Sequence, residues 1–171
     1  MPPVKHVVKH GTFIDDEWLA VGDEDAVPGE GAVTVSFGRW QTEREALAGR
    51  NGPLGLRLPA DADPAAIRAD LDRFELIVLD FPKFNDGRAF SQARMIRQRF
   101  GFAGEIRATG HVIRDLLLFM ARCGFDSFEL APERTIDDWR AAMREFSVWY
   151  QPAADARVPA TELRHRAMAA E

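Results

Sequence analysis

The chain has 171 residues, 46% apolar and 29% charged, with a formal net charge of −5; this suits one domain with terminal extensions and fits neither a disordered chain nor a membrane protein. The longest apolar stretch in a helical pattern, Leu116 to Ala121 (LLLFMA), is far short of a bilayer span. A single cysteine, Cys123, excludes an internal disulfide and an all-cysteine metal cage, and an N-terminus without an apolar signal core (MPPVKHVVKHG) leads to the expectation of a cytoplasmic protein.

In chain order, His6 to His10 (HVVKH) has metal-like spacing only on a helix. On the extended segment expected here the two histidines stand about 13 Å apart, too far to share an ion, and no metal site is predicted. Thr12 to Gly22 reads as a hairpin turning at Asp15-Asp16, and Asp23 to Gly31 as an acidic loop leading to the first parallel strand. Five short apolar runs follow at regular spacing: Ala32 to Phe37, Leu54 to Leu58, Glu75 to Phe81, Glu105 to Ala108 and Ser127 to Leu130.

Each interval between these runs has room for a helix and carries helix punctuation. Thr42 to Glu45 (TERE) is a capping-box pattern with Gly49 as the stop. Asp63-Pro64 is a cap followed by a first-turn proline. Asp86-Gly87 opens a helix that Gly101 ends, His111 to Cys123 forms another ending at Gly124, and Thr135 caps a third beginning TIDDW. This rhythm predicts an α/β fold with a mostly parallel sheet of about five βα units, either an open sheet or an incomplete barrel, plus an N-terminal β-hairpin. Phe146 to Pro152 is a candidate last strand, and residues 153–171 a weakly amphipathic helical tail. The expected division is 1–31 for the hairpin and acidic loop, 32–151 for the core and 152–171 for the tail.

The charge is uneven. Residues 83–114 carry seven cations (Lys83, Arg88, Arg94, Arg97, Arg99, Arg107, Arg114) against Asp86 and Glu105, a local +5 that leaves −10 for the remainder. One basic zone on an acidic chain points to a localised anion or acidic partner, and is too narrow for general nucleic-acid binding. Parallel sheets bind ligands beyond the carboxyl ends of their strands. There the expected loops gather Lys83, Asn85, Asp86, Arg88, Thr109, His111, Glu133 and Arg134, with Arg94 and Arg107 as further anion or partner contacts. Lys83, Asp86 and His111 are the candidate catalytic groups. Plainer readings exist for each: Asp86 as a helix cap, Lys83 and Arg88 as surface residues, Arg94, Arg97 and Arg99 as a solvated helix face, and His111 as a capping residue. Cys123 reads as a packed small hydrophobe, and the LLLFM helix as buried or as a homodimer contact. No dinucleotide, P-loop or nucleophile-elbow motif occurs, so no cofactor is expected.

The stretches FPKFNDGRAFSQAR (Phe81 to Arg94) and RCGFDSFEL (Arg122 to Leu130), with GTFIDDEW near the start and WYQPAAD near the end, resemble a bacterial family catalogued as domain of unknown function 934. This chain has His111 where relatives often carry an acid. Members carry the label of an oxidoreductase of sulfite reduction. The resemblance therefore implies a place in assimilatory sulfite or sulfate reduction, with sulfite reductase or another sulfate-assimilation protein as partner. Three functions are carried forward: an accessory protein binding an anion or acidic partner, an enzyme on a small anion, and a homodimeric scaffold.

Overall fold

Eight strands form one sheet in the order β2-β1-β8-β7-β6-β5-β4-β3 in the computed structural model, which describes residues 6–155 and 157–169. The strands are β1 (His6–Lys9), β2 (Thr12–Ile14), β3 (Leu19–Ala20), β4 (Val33–Ser36), β5 (Leu54–Leu58), β6 (Leu76–Phe81), β7 (Glu105–Gly110) and β8 (Ser127–Leu130). From β3 to β8 every pairing is parallel and runs in sequence order, while β1 lies antiparallel against both β8 and β2. The five strands expected from the apolar runs are all present, and the fold is a mostly parallel α/β half-barrel with an N-terminal hairpin.

Strand order explains where the helices lie. Right-handed crossovers between sequential parallel strands put every connection on the same face. That face is covered by α1 (Phe37–Ala48), a 3₁₀ helix (Pro64–Arg73), α2 (Arg88–Arg94, continuing as a π turn to Arg99) and α3 (Arg114–Cys123). Val35, Leu56, Leu58, Ile77, Leu79, Ile106 and Phe128 supply the sheet side of this core; Trp40, Ile67, Ala93, Ile96, Leu117 and Met120 supply the helix side. In α3, Leu117, Leu118, Met120 and Cys123 are buried, so the apolar helix is largely consumed internally, and burial pushes the Cys123 thiol pKa up. Phe119 remains exposed, with its ring 4.7 Å from that of Phe90.

The opposite face is concave and polar. The strand alternation places Thr34, Gly55, Arg57, Asp80, Glu105, Arg107, Thr109 and Ser127 there. β2 and β3 occupy opposite edges of the sheet, yet only residues 15–18 separate them. A flat eight-stranded sheet would put those edges about 33 Å apart. Five residue steps reach at most about 18 Å. The sheet therefore has to curl, and the connection straps across its concave face. Asp16 anchors the strap by accepting from Arg107 at 2.7 Å, while Trp18 lies over Gly55, where an added Cβ would meet the indole at 3.1 Å.

Four local expectations are corrected. The hairpin turns at His10-Gly11, both at positive φ (51° and 78°), because Asp16 is drawn off to Arg107 and Asp15-Asp16 lies in the strap. Helix α1 starts five residues before TERE: Ser36, the last residue of β4, accepts from the Arg39 N–H at 3.0 Å, and Thr42 merely bonds back to Arg39 O within the helix. Phe146 to Pro152 forms no strand, only an isolated bridge between Trp149 and Pro159, and the Trp149 ring is engaged by Arg122, 4.1 Å from its centroid. Arg97 is no solvated residue: it binds the carbonyls of Phe102, Gly104 and Gly124 and the carboxylate of Asp126. The capping box at Thr135, the Asp63 cap and the Gly124 stop (φ 107°) stand as expected; α4 is Ile136–Met143 and the tail holds α5 (Ala160–Met168).

Arg107, 2% exposed, is the strap's attachment point. Arg107→Ala should cost about 3–5 kcal/mol, the usual result of leaving buried carboxylates without their cation, measured as a loss of unfolding free energy in urea. A change below about 1 kcal/mol would contradict this role.

Candidate functional site

Two arginines share one row of the concave face. Ser36, Arg57, Val78 and Arg107 lie in register across β4 to β7, and the row continues through Ser127 to Lys9. Arg57 and Arg107 sit two strands apart, about 10 Å. Their surroundings differ sharply.

Arg107 donates from all three of its nitrogens and is paired with two acids. It donates to Asp16 Oδ1 at 2.7 Å, to Glu105 Oε1 at 2.9 and 3.1 Å and to Ser127 Oγ at 3.3 Å. Ser127 Oγ and Lys9 Nζ donate to Glu105 at 2.5 Å each. Burial pushes the Glu105 pKa up, but the hydrogen bonds from Lys9 and Ser127 and the charge of Arg107 outweigh it, leaving the carboxyl below its ordinary value. Two acids and two cations thus close an internally neutral cluster beneath the strap.

Arg57 is different. It is half-buried, and among the described residues it has no hydrogen-bond or ion-pair partner. It lines a cleft of about 710 Å³ at the carboxyl ends of β4, β5 and β6, beyond the part of the concave face that the strap covers. The first turn of α1, Phe37 and Gly38, forms one wall and contributes the positive end of that helix. Asp23 on the rim is committed to the Ser36 hydroxyl at 2.6 Å. Deeper in, Asp80 accepts from the hydroxyl of buried Thr109 at 3.3 Å. Gly110 makes room for that carboxylate: its φ is +82°, and a Cβ there would stand 2.6 Å from Asp80 Oδ1 and 2.5 Å from Phe81 O.

The residues expected at the strand-end rim divide into three groups. Arg88 lines the cleft, but its guanidinium is clamped by Asp86, Nε to Oδ1 at 2.9 Å and Nη2 to Oδ2 at 2.6 Å. Thr109 serves the site through Asp80. Arg107 lies on the same face but is spent on Asp16 and Glu105. Outside the cleft wall are Lys83 and Asn85, exposed in the loop after β6, and exposed His111, whose backbone N–H donates to Phe81 O at 2.8 Å. Glu133 and Arg134 also lie off the cleft, in the turn after β8, and Arg94 is on the outer helix surface, donating to Gln98 at 2.9 Å. Among the described residues no group of three or more histidine, cysteine or acidic side chains could hold a metal ion.

Arg57, Asp80 and Ser36 were not singled out by residue type or by loop position. The available signal is alternation. EIRATG puts polar residues at every second place and LGLRL puts Gly55 and Arg57 there, in interior parallel strands that normally read apolar on both faces. Polar alternation there marks a face that no helix covers.

Chemically, an unneutralised guanidinium at the mouth of a half-enclosed cleft, beside a helix N-terminus, provides planar donors for a carboxylate or a tetrahedral oxyanion. Residues 55–161 match the family described as "Bacterial protein of unknown function (DUF934)", more than half of the chain, and the chain belongs to that family. No curated protein matches it.

The Asp86–Arg88 clamp has a pH signature. The hydrogen bond from Arg88 lowers the Asp86 pKa from 3.8 to about 2. Because the folded value lies below the unfolded one, whatever this pair contributes to stability is complete above about pH 4 and fades as the pH falls toward 2. Carboxyl NMR of the folded chain should show Asp86 titrating near 2, returning toward 3.8 in Arg88→Ala; an unchanged midpoint in the variant would contradict the clamp. Gly110→Ala should destabilise the fold by at least the roughly 1–2 kcal/mol that left-handed backbone costs a residue with a Cβ, seen as a lowered unfolding midpoint.

Proposed function

We propose that this DUF934 member binds a small oxyanion in the strand-end cleft, with Arg57 as its chief ligand, and acts as an accessory protein of sulfite and sulfate reduction alongside a partner such as sulfite reductase. The observation that carries the anion is Arg57 itself. A half-buried guanidinium that makes no ion pair within its own chain is costly unless something anionic joins it. Its neighbour Arg107, in the same row, shows what this sheet does with an arginine meant only for structure: it supplies two carboxylates.

The basic zone of residues 83–114 supports a small anion more than a broad acidic surface. Arg88, Arg97, Arg107 and Arg114 each have a carboxylate within ion-pair distance in their own chain, so among the described residues only Lys83, Arg94 and Arg99 of the seven cations remain for electrostatic docking. A cleft of about 710 Å³ falls within the range of small-molecule sites. The pathway is supported by the family resemblance and its sulfite-reduction label, with which an oxyanion ligand agrees.

Calorimetric titration with sulfite at neutral pH tests the reading. Arg57→Gln should weaken binding by about tenfold to a hundredfold, the worth of a charge-assisted hydrogen bond, whereas Lys83→Ala should leave it within about twofold. Equal binding by the Arg57 variant, or a loss confined to the Lys83 variant, would contradict the assignment.

A further inference from the structure

We propose that Asp80 makes the cleft selective for oxyanions that carry a proton, such as hydrogenphosphate and hydrogensulfite, and sets it against sulfate. This rests on the reading of the cleft as an oxyanion site and names which oxyanions it takes.

Asp80 is the concave-face residue of β6 that follows Val78, the residue in register between Arg57 and Arg107. Both Arg57 and Asp80 line the cleft, so an anion held by the guanidinium sits within the reach of the carboxylate. Among the described residues no lysine or arginine forms an ion pair with Asp80, and its one hydrogen bond is the hydroxyl of Thr109. The other two acids of the cleft are placed differently: Asp23 is occupied by Ser36, and Asp61 is exposed at the rim on the Arg88 side. Asp80 is therefore the acceptor that a bound anion meets beside Arg57.

A carboxylate only accepts hydrogen bonds, and so do the oxygens of a fully deprotonated oxyanion. The two can sit together when the ligand brings a proton between them. Hydrogenphosphate and hydrogensulfite bring one at neutral pH. Sulfate brings none, and would place two acceptors and two negative charges face to face in a half-enclosed site. The arrangement attracts anions in general through Arg57 and rejects one class of them through Asp80. Thr109 and the missing Cβ at Gly110 hold the carboxylate in position.

The test is calorimetric titration of the full chain with inorganic phosphate, sulfite and sulfate at neutral pH and fixed ionic strength. Phosphate and sulfite should bind at least about tenfold more tightly than sulfate. Asp80→Asn, which replaces an acceptor with a donor, should raise sulfate affinity by about tenfold or more and lower that of the protonated anions. The wild-type ratio needs no variant, and Asp80→Ser, which removes the charge with a smaller side chain, checks the result should the asparagine protein fail to fold. Sulfate binding within about twofold of phosphate in the wild type, with Arg57→Gln weakening both, would overturn the selectivity and leave the oxyanion site standing. Absence of binding by all three anions would overturn both.

Discussion

The guanidinium of Arg107, held between Asp16 and Glu105, is the contact on which the rest of the molecule depends. It ties a four-residue connection to the middle of the sheet, and that connection joins strands at opposite edges. With so short a link the sheet has no choice but to curl. Burying a cation with two acids gains little stability against well-packed apolar residues, because desolvation offsets most of the attraction. What the cluster provides is register: a strap displaced by one residue would strand Asp16 or expose Arg107. Ser127 and Lys9 complete the arrangement by satisfying Glu105, so the trapped charges have partners on both sides.

The site is what the strap leaves uncovered. Trp18 and Asp16 lie over Gly55 and Arg107, and the carboxyl ends of β4, β5 and β6 stay open as the cleft. Arg57 and Arg107 sit on one row of one sheet, and the difference between the unpaired arginine and the locked one is the presence of two acids. Ser36 serves both sides of the boundary: it ends β4, caps α1 and holds Asp23 at the rim. Strand passes to helix there without a loop, which brings the helix N-terminus directly onto the cleft wall.

Much of the fold was legible because its signals are local. Apolar runs located the five interior strands, and Asp63-Pro64, Gly124 and the Thr135 box punctuated helices as expected. Features set by distant partners were not legible. Asp15-Asp16 has the composition of a turn, and nothing nearby in sequence shows that Asp16 is claimed by Arg107, 91 positions away. The basic zone looked like free charge because its acids are remote: Asp16 and Asp126 neutralise Arg107 and Arg97 from other strands and loops. Of the residues expected at the site, Arg88 and Thr109 reach it, the second only through Asp80. Arg57 was hidden as one charge in a short apolar run, LGLRL, whose period of two carries the information that residue type alone does not.

The central claim, that among the described residues Arg57 is an unpaired cation of the concave face and Arg107 a bound one, is tested most directly by side-chain NMR of the arginine Nε–H groups during titration with sulfite. The Arg57 signal should shift and saturate while those of Arg107 and Arg97, locked by their carboxylates, stay in place. Movement of Arg107 or Arg97 with a silent Arg57, or small unsaturable shifts spread over all the arginines, would contradict it.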